Sequence, residues 1–477
     1  MRTHKQKTIT VILILLAATF TAMAYSTGLL QSGQAATNKV ITSGNHDTLV
    51  SLSGRLTQDK ILLNGDGTVS LELIMTAGDI DVDKTGSDRP VDMVVVLDRS
   101  GSMQGEKINQ AKQSLLNLIN MLSPQDRLAL VSYADNVQTH ANLLKVTPTN
   151  RFLLQSAVNS IRTGGSTNLS SGLQQGIAIM QRSLAAGRNG SIILVSDGLA
   201  NRGITDPQSL GRMATAAQKH EFGISTVGVG LDFNEHLMTT IADQGAGKYY
   251  FLDEPEKFAE ILHNEFEHAR MTVASNTAVE IPLTDGVTLI DAAGYPVEYR
   301  NNKAVFYPGN LFAKQSRSLF LTFKLPTNAE KNFVLNGITV RYQHDNISRT
   351  VSLDEPFQIA CIRNKTQVIS SVDKRVWEEK VLQEDFSKLL DEVAADIGNG
   401  SRDDAMTAIN NYEAEQSERN AAVGSEKVTA NLDQDLKVLR HKVEETFYGA
   451  PSAVISKQKK NAKELQYRSY ESRRSVQ

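Results

Sequence analysis

Three short segments of this chain carry hard oxygen donors where loops are expected. Asp98-Arg99-Ser100-Gly101-Ser102 follows the unbroken apolar run 93–97. Gly164-Gly165-Ser166-Thr167-Asn168 stands just before a helical pattern, and Ser196-Asp197-Gly198 opens where the apolar run 192–195 ends. Together they offer the carboxylates of Asp98 and Asp197 and the hydroxyls of Ser100, Ser102 and Thr167. Such a set favours Mg²⁺, Mn²⁺ or Ca²⁺ over zinc or copper. Hydroxyl ligands are neutral. An ion held by them, with the two carboxylates bound directly or through water, stays electrophilic toward a carboxylate from outside. The glycines in these loops allow sharp turns with the backbone close to an ion.

These segments must sit on elements that converge. Residues 93–97 and 192–195 read as parallel strands buried on both faces. Ile108, Ala111, Leu115, Leu118 and Leu122 follow the first at helical spacing. Strand and helix patterns alternate from 90 to 271, which predicts a doubly wound α/β domain. Such a sheet presents its ligand site beyond the carboxyl ends of its strands, where all three segments lie.

Segments 37–89 and 272–362 are β-rich without helices between the strands. Each alone would leave a sheet face exposed, so a single sandwich-like unit with the α/β domain inserted is the economical reading. Residues 372–448 carry three apolar stripes: Leu382, Phe386, Leu389, Val393 and Ile397; then Met406, Ile409 and Tyr412; then Val428, Leu432, Leu436, Leu439, Val443 and Phe447. They read more readily as an intramolecular helical bundle than as a dimer seam. Residues 451–477 form a basic tail with seven Lys or Arg against two Glu. A solvated tail is the simple expectation, and an acidic partner or anionic lipid surface the sharper one.

At the N-terminus, Arg2, Lys5 and Lys7 precede an uncharged stretch ending in Ala22-Met23-Ala24. Residues 1–24 therefore read as a signal peptide, or as an anchor that would tie the chain to a membrane. Either implies export, to a bacterial periplasm or cell surface. Lys and Arg total 50 and Asp and Glu 53, a net charge of −3. That balance gives no footprint for nucleic acid. The single cysteine, Cys361, excludes an intramolecular disulfide and every multi-cysteine metal site within one chain. It is either a buried small residue or a reactive thiol.

No phosphate-binding G-x-x-x-x-G-K-[ST] loop or G-x-S-x-G nucleophile elbow occurs, so the chain does not read as an enzyme. His263 and His268 are five apart, off one helix face, and are expected at the surface. Gly228-Val229-Gly230 reads as strand-end packing.

Residues 93–103 (MVVVLDRSGSM), 164–172 (GGSTNLSSG) and 193–198 (ILVSDG) resemble the metal-ion-dependent adhesion site of von Willebrand factor type A domains, in a protein of the bacterial exported type. All five motif positions are filled. The resemblance implies a Rossmann-like domain over about 90–271 in which Ser100, Ser102 and Thr167 ligate a divalent ion, Mg²⁺ first among the candidates. Asp98 and Asp197 would support it directly or through water, and an Asp or Glu of a protein partner would complete the shell. The implied function is a metal-dependent binding module of the cell envelope. The alternative is an assembly scaffold with a structural metal, whose C-terminal helices make the contacts. β-rich flanks around such a domain look like those of bacterial exported proteins and inter-alpha-trypsin-inhibitor heavy chains.

Overall fold

All eight residues of the strand Val91–Asp98 are buried, because helices cover both faces of the sheet it centres. The computed structural model describes residues 38–44, 49–79, 89–183, 188–218, 222–345 and 347–474; the expected signal or anchor segment 1–24 lies outside them. Among the described residues no helix is long and apolar enough to cross a membrane.

The central sheet runs, edge to edge, through Ala246–Leu252, Phe222–Val229, Asn189–Ser196, Val91–Asp98, Arg127–Tyr133 and Val137–Lys145. The pairings are parallel except for the last, an antiparallel hairpin. The chain leaves Val91–Asp98 toward one side, to Arg127–Tyr133, and later returns on the other side as Asn189–Ser196. The gap between those departures is the switch point at which doubly wound sheets bind ligands. Helices Glu106–Met121 and Phe258–Arg270 bury Ile108, Leu115, Leu118, Leu262 and Phe266 on one face. Helices Leu169–Ser183, Pro207–Gln218 and Glu235–Gln244 cover the other.

The flanking β-segments form one unit. Thr68–Ala77, which precedes the α/β domain, pairs antiparallel with Ser316–Lys324, which follows it, from Thr68 opposite Lys324 to Thr76 opposite Ser316. Lys60–Leu62 pairs with Phe357–Ile362 in the same way across the insertion, though parallel. One apolar core joins Leu71, Leu73 and Met75 to Leu319, Leu321 and Phe323 and to the facing sheet around Thr272–Pro282. Cys361 lies in that core, and burial pushes its thiol up, away from reactivity.

In the C-terminal region, Phe386–Gly398, Arg402–Val423 and Leu436–Thr446 are helices. Leu389, Val393, Ile397, Ile409, Leu436, Leu439 and Val443 share one core. Ser401 caps the second helix by accepting from the Asp404 N–H.

Where a solvated tail is expected, Pro451–Arg473 is a helix of 23 residues. Pro451 occupies its first turn, where a missing N–H costs nothing. Leu465 packs with Phe386–Gly398, while Tyr467 and Tyr470 pack on the α/β domain. The Tyr249 N–H donates to Tyr470 Oη at 3.0 Å, and Tyr249 meets both tyrosine rings edge-on. Basic side chains that look free in the sequence are spent on acids of other elements. Lys459 reaches Asp232 at 2.8 Å, Arg473 reaches Asp391 at 2.6 Å and Arg474 reaches Asp243 at 2.8 Å.

His268 also departs from expectation. Its ring stacks on Phe312, centroids 4.5 Å apart, because the strand pairing that starts at Thr272 folds the sandwich against the end of its helix. The tight Gly228 position is filled by the Phe233 ring, so the glycine serves packing at the strand end.

Two expectations follow. Leu389→Asp or Leu436→Asp should cost about 3 kcal/mol or more by burying an unpaired charge; unchanged thermal melting of both variants would place these side chains at the surface. The second concerns Glu235, which is buried beneath the last helix with Lys463 Nζ 3.8 Å away. Burial, only partly offset by Lys463, pushes its carboxyl from the usual 4.5 up to about 7. The folded state then holds this proton more tightly than the unfolded chain. Its contribution to stability is fully present below pH 4.5 and is lost as pH rises through about 7. Melting curves of wild type and Glu235→Gln should therefore diverge across that window, the wild type losing ground as pH rises. Parallel curves would refute the assignment.

Candidate metal centre

Asp98 is the last residue of the central strand, and Asp197 immediately follows the neighbouring strand Asn189–Ser196. Parallel pairing therefore delivers both carboxylates to one rim. Both residues are fully buried. One Asp98 oxygen accepts the Ser100 N–H at 2.8 Å, and the other accepts the Ser196 hydroxyl at 2.9 Å. Burial raises the Asp98 pKa; the hydrogen bonds from Ser100 and Ser196 oppose this, and the charge of Asp197 adds to it.

The hydroxyls converge on the same place. Ser100 Oγ and Ser102 Oγ are 3.0 Å apart, and Ser102 donates to Asp197 Oδ1 at 2.7 Å. Thr167 joins from the opposite loop: a Cβ built on Gly198 would lie 3.3 Å from Ser102 Oγ and 3.5 Å from Thr167 Oγ1. Gly198 thus leaves open the space that these two hydroxyls face. The five residues singled out from sequence stand together, with Asp98 reaching the cluster through Ser100.

Backbone bonds hold the loops in register. The Gly101 N–H donates to Gly165 O, and the Gly164 N–H to Arg99 O. The Thr167 N–H donates to Asn201 Oδ1 at 2.9 Å. Gly165 has φ +87°, and a side chain there would collide with the Asp135 carboxylate, so the packing of this loop on the turn after Arg127–Tyr133 needs a glycine.

The donor set suits a small hard cation. Octahedral oxygens at ~2.0–2.1 Å from Mg²⁺ lie about 2.9–3.0 Å apart along an edge, close to the hydroxyl spacings in this rim. Ser100, Ser102 and Thr167 would be the ligands, with Asp98 and Asp197 supplying charge. Among the described residues no three His, Cys, Asp or Glu side chains come together as a metal site; the rim depends on its hydroxyls.

One functional residue was not evident from the motif. Lys107 Nζ lies 2.6 Å from Asp197 Oδ2, the oxygen that Ser102 does not use. Its signal was present in the sequence: it stands in the first turn of Glu106–Met121, where a cation opposes the helix dipole. An anion nearby offsets that unfavourable placement, and Asp197 supplies it. Lys107 offsets one of the rim's two negative charges, so a bound divalent ion would keep excess positive charge for an outside anion.

Fold and rim together define a Rossmann-like α/β domain with an oxygen-donor site at its switch point. Residues 92–264 match the family model of the von Willebrand factor type A domain, and the chain carries that domain. Among curated proteins it is 30% identical over 262 residues to the uncharacterized protein YfbK of Escherichia coli, a match that takes in 53% of this chain and 44% of that one. It is 26% identical over 222 residues to inter-alpha-trypsin inhibitor heavy chain H3 of Rattus norvegicus, covering 45% of this chain and 25% of the relative. The chain thus spans less than half the length of either. Among solved structures, a von Willebrand factor type A protein from Catenulispora acidiphila superposes with a TM-score of 0.66 at 15% identity, over 90% of this chain and 98% of that one. The ArnB paralog VWA2 from Sulfolobus acidocaldarius gives 0.52 at 18% identity, over 88% and 99%. These likenesses extend the shared fold beyond the α/β domain. Domains of this type are generally protein-interaction and adhesion modules.

Lys107→Met would leave Asp197 with Ser102 alone. In EDTA the variant should lose about 1–3 kcal/mol of stability, the cost of a buried acceptor deprived of its charged donor. Thermal melting in EDTA is the check, and an unchanged midpoint would mean that Lys107 contributes nothing to the rim.

Proposed function

We propose that this protein binds a protein partner through a divalent ion at the rim, Mg²⁺ in the first instance, with a partner Asp or Glu as the outside ligand. The observation that carries this reading is the meeting of Ser100, Ser102 and Thr167 around the open face of Gly198, backed by two buried carboxylates. Among the described residues Asp98 has only neutral donors, Ser100 N–H and Ser196 Oγ. A buried carboxylate without a counter-charge is costly, and a cation at the rim would relieve that cost. The role is binding rather than catalysis, on the envelope of the cell, as the N-terminal segment implies.

The scaffold alternative assigns the contacts to the C-terminal helices. Their stripes are occupied with one another and with the last helix, which favours the rim as the binding surface.

Calorimetric titration of the purified protein with Mg²⁺ and Mn²⁺ should give one site. Asp98→Asn should abolish it while the protein still melts cooperatively. Thr167→Ala should weaken capture of a carboxylate-bearing partner more than it lowers the melting point, because it removes a ligand and little packing. EDTA should release the partner and leave the fold intact; unfolding in EDTA would instead favour a structural ion. Equal metal affinity in wild type and Asp98→Asn would overturn the assignment.

A further inference from the structure

Far from the rim, the α/β domain, the sandwich and the last helix meet around a cavity of ≈ 40 Å³. On this measure one water needs about 10–15 Å³, so the space suits about three waters or one tetrahedral ion. Glycines keep it open. A Cβ on Gly223 would lie 3.6 Å from Asn310 Nδ2, and one on Gly309 would lie 3.6 Å from Arg317 Nη1.

The groups facing this space are donors in excess. Arg317 is 6% exposed. It gives Nη1 to Pro308 O and Nη2 to Asn310 O, but its Nε is buried without a hydrogen-bond partner. No carboxylate pairs with it among the described residues. Lys248 Nζ makes no hydrogen bond or ion pair among the described residues; it stands over the Phe312 ring at 5.5 Å. His268, stacked on the same ring, has its buried Nδ1 3.9 Å from Glu265 Oε1, beyond hydrogen-bond length. The one carboxylate on the wall, Glu265, is already engaged by Ser225 and Tyr250 hydroxyls, each at 2.6 Å. Arg474 also lines the space, and Asp243 balances it. One buried guanidinium therefore has no ion-pair partner among the described residues, and its Nε is a donor without an acceptor. Desolvation lowers the pKa of both Lys248 and Arg317. Water could accept these bonds but brings no charge.

We propose that a small tetrahedral oxyanion, inorganic phosphate or sulfate, binds in this cavity between Arg317, Lys248 and His268. Its place at the junction means that it would fasten the α/β domain to the sandwich and to the last helix. It is independent of the rim and of the ion proposed there.

The test is melting of the full chain, purified without phosphate or sulfate, in EDTA. Either anion is added to about 10 mM against chloride at matched ionic strength. A saturable rise of roughly 2–4 °C is expected, with phosphate alone or with both anions, and Lys248→Met should abolish it. General salting-out stabilisation does not saturate and would survive in the variant. Should Lys248→Met fail to fold, Asn310→Ala, which removes the Nδ2 donor, should reduce the saturable shift. Equal melting of wild type in phosphate, sulfate and chloride would overturn the proposal and leave the cavity to water. So would an anion shift of the same size in both variants.

Discussion

A buried carboxylate must be neutralised, and the central strand solves this problem differently at its two ends. Asp92 and Asp98 are both fully buried on Val91–Asp98. At the amino end, Asp92 takes Arg127 Nε and Arg188 Nε, each at 2.7 Å. Two guanidiniums settle that charge permanently. At the carboxyl end, among the described residues, Asp98 has hydrogen bonds but no cation, and Asp197 beside it has Lys107 and the Ser102 hydroxyl. The same strand thus carries a finished ion pair at its base and an unfinished one at its ligand edge. Burial without a cation raises the Asp98 pKa, and the three hydroxyls share the same edge.

Keeping that edge open demands that the strands beneath it stay in register, and the surrounding architecture does this from outside. The pairing of Thr68–Ala77 with Ser316–Lys324 brings together chain segments on both sides of the α/β domain, so the domain's entry and exit are tied within one sandwich. The last helix adds a second tie. Tyr467 and Tyr470 pack around Tyr249 on the outermost strand of the sheet, Ala246–Leu252. An edge strand left bare would offer unpaired backbone to other chains; here the Tyr470 hydroxyl takes the Tyr249 N–H.

The site and its domain were legible because their signals are local. Apolar runs of five and four residues, the first followed at once by Asp98 and the second by Ser196 and then Asp197, place carboxylates at strand ends without knowledge of the rest of the fold. The sandwich was legible by elimination, since neither β-segment covers its own face. The last helix was not. Its buried positions include Lys463, Ser469 and Tyr470 beside Ala462 and Leu465, and such a mixture leaves no apolar stripe to detect. Its order comes from partners more than 200 residues away, such as Asp232 and Asp243. Lys107 was missed for a related reason: a motif read as ligands has no place for a cation, and only the helix-dipole conflict marked it.

The last helix also reaches toward the rim, through one turn. Gly230, with φ +73°, lies where a Cβ would be 3.4 Å from Lys107 Nζ, so the turn after Phe222–Val229 walls the lysine against Asp197. Two residues on, Asp232 holds Lys459, and Phe233 O accepts from Lys463 at 3.1 Å while its ring lies 3.7 Å beneath the same ammonium. The last helix therefore holds the segment that borders Lys107. The surroundings of Lys107 thus include, one contact further out, residues of the last helix, so the edge that carries Asp98 and Asp197 is bordered by segments distant in the sequence.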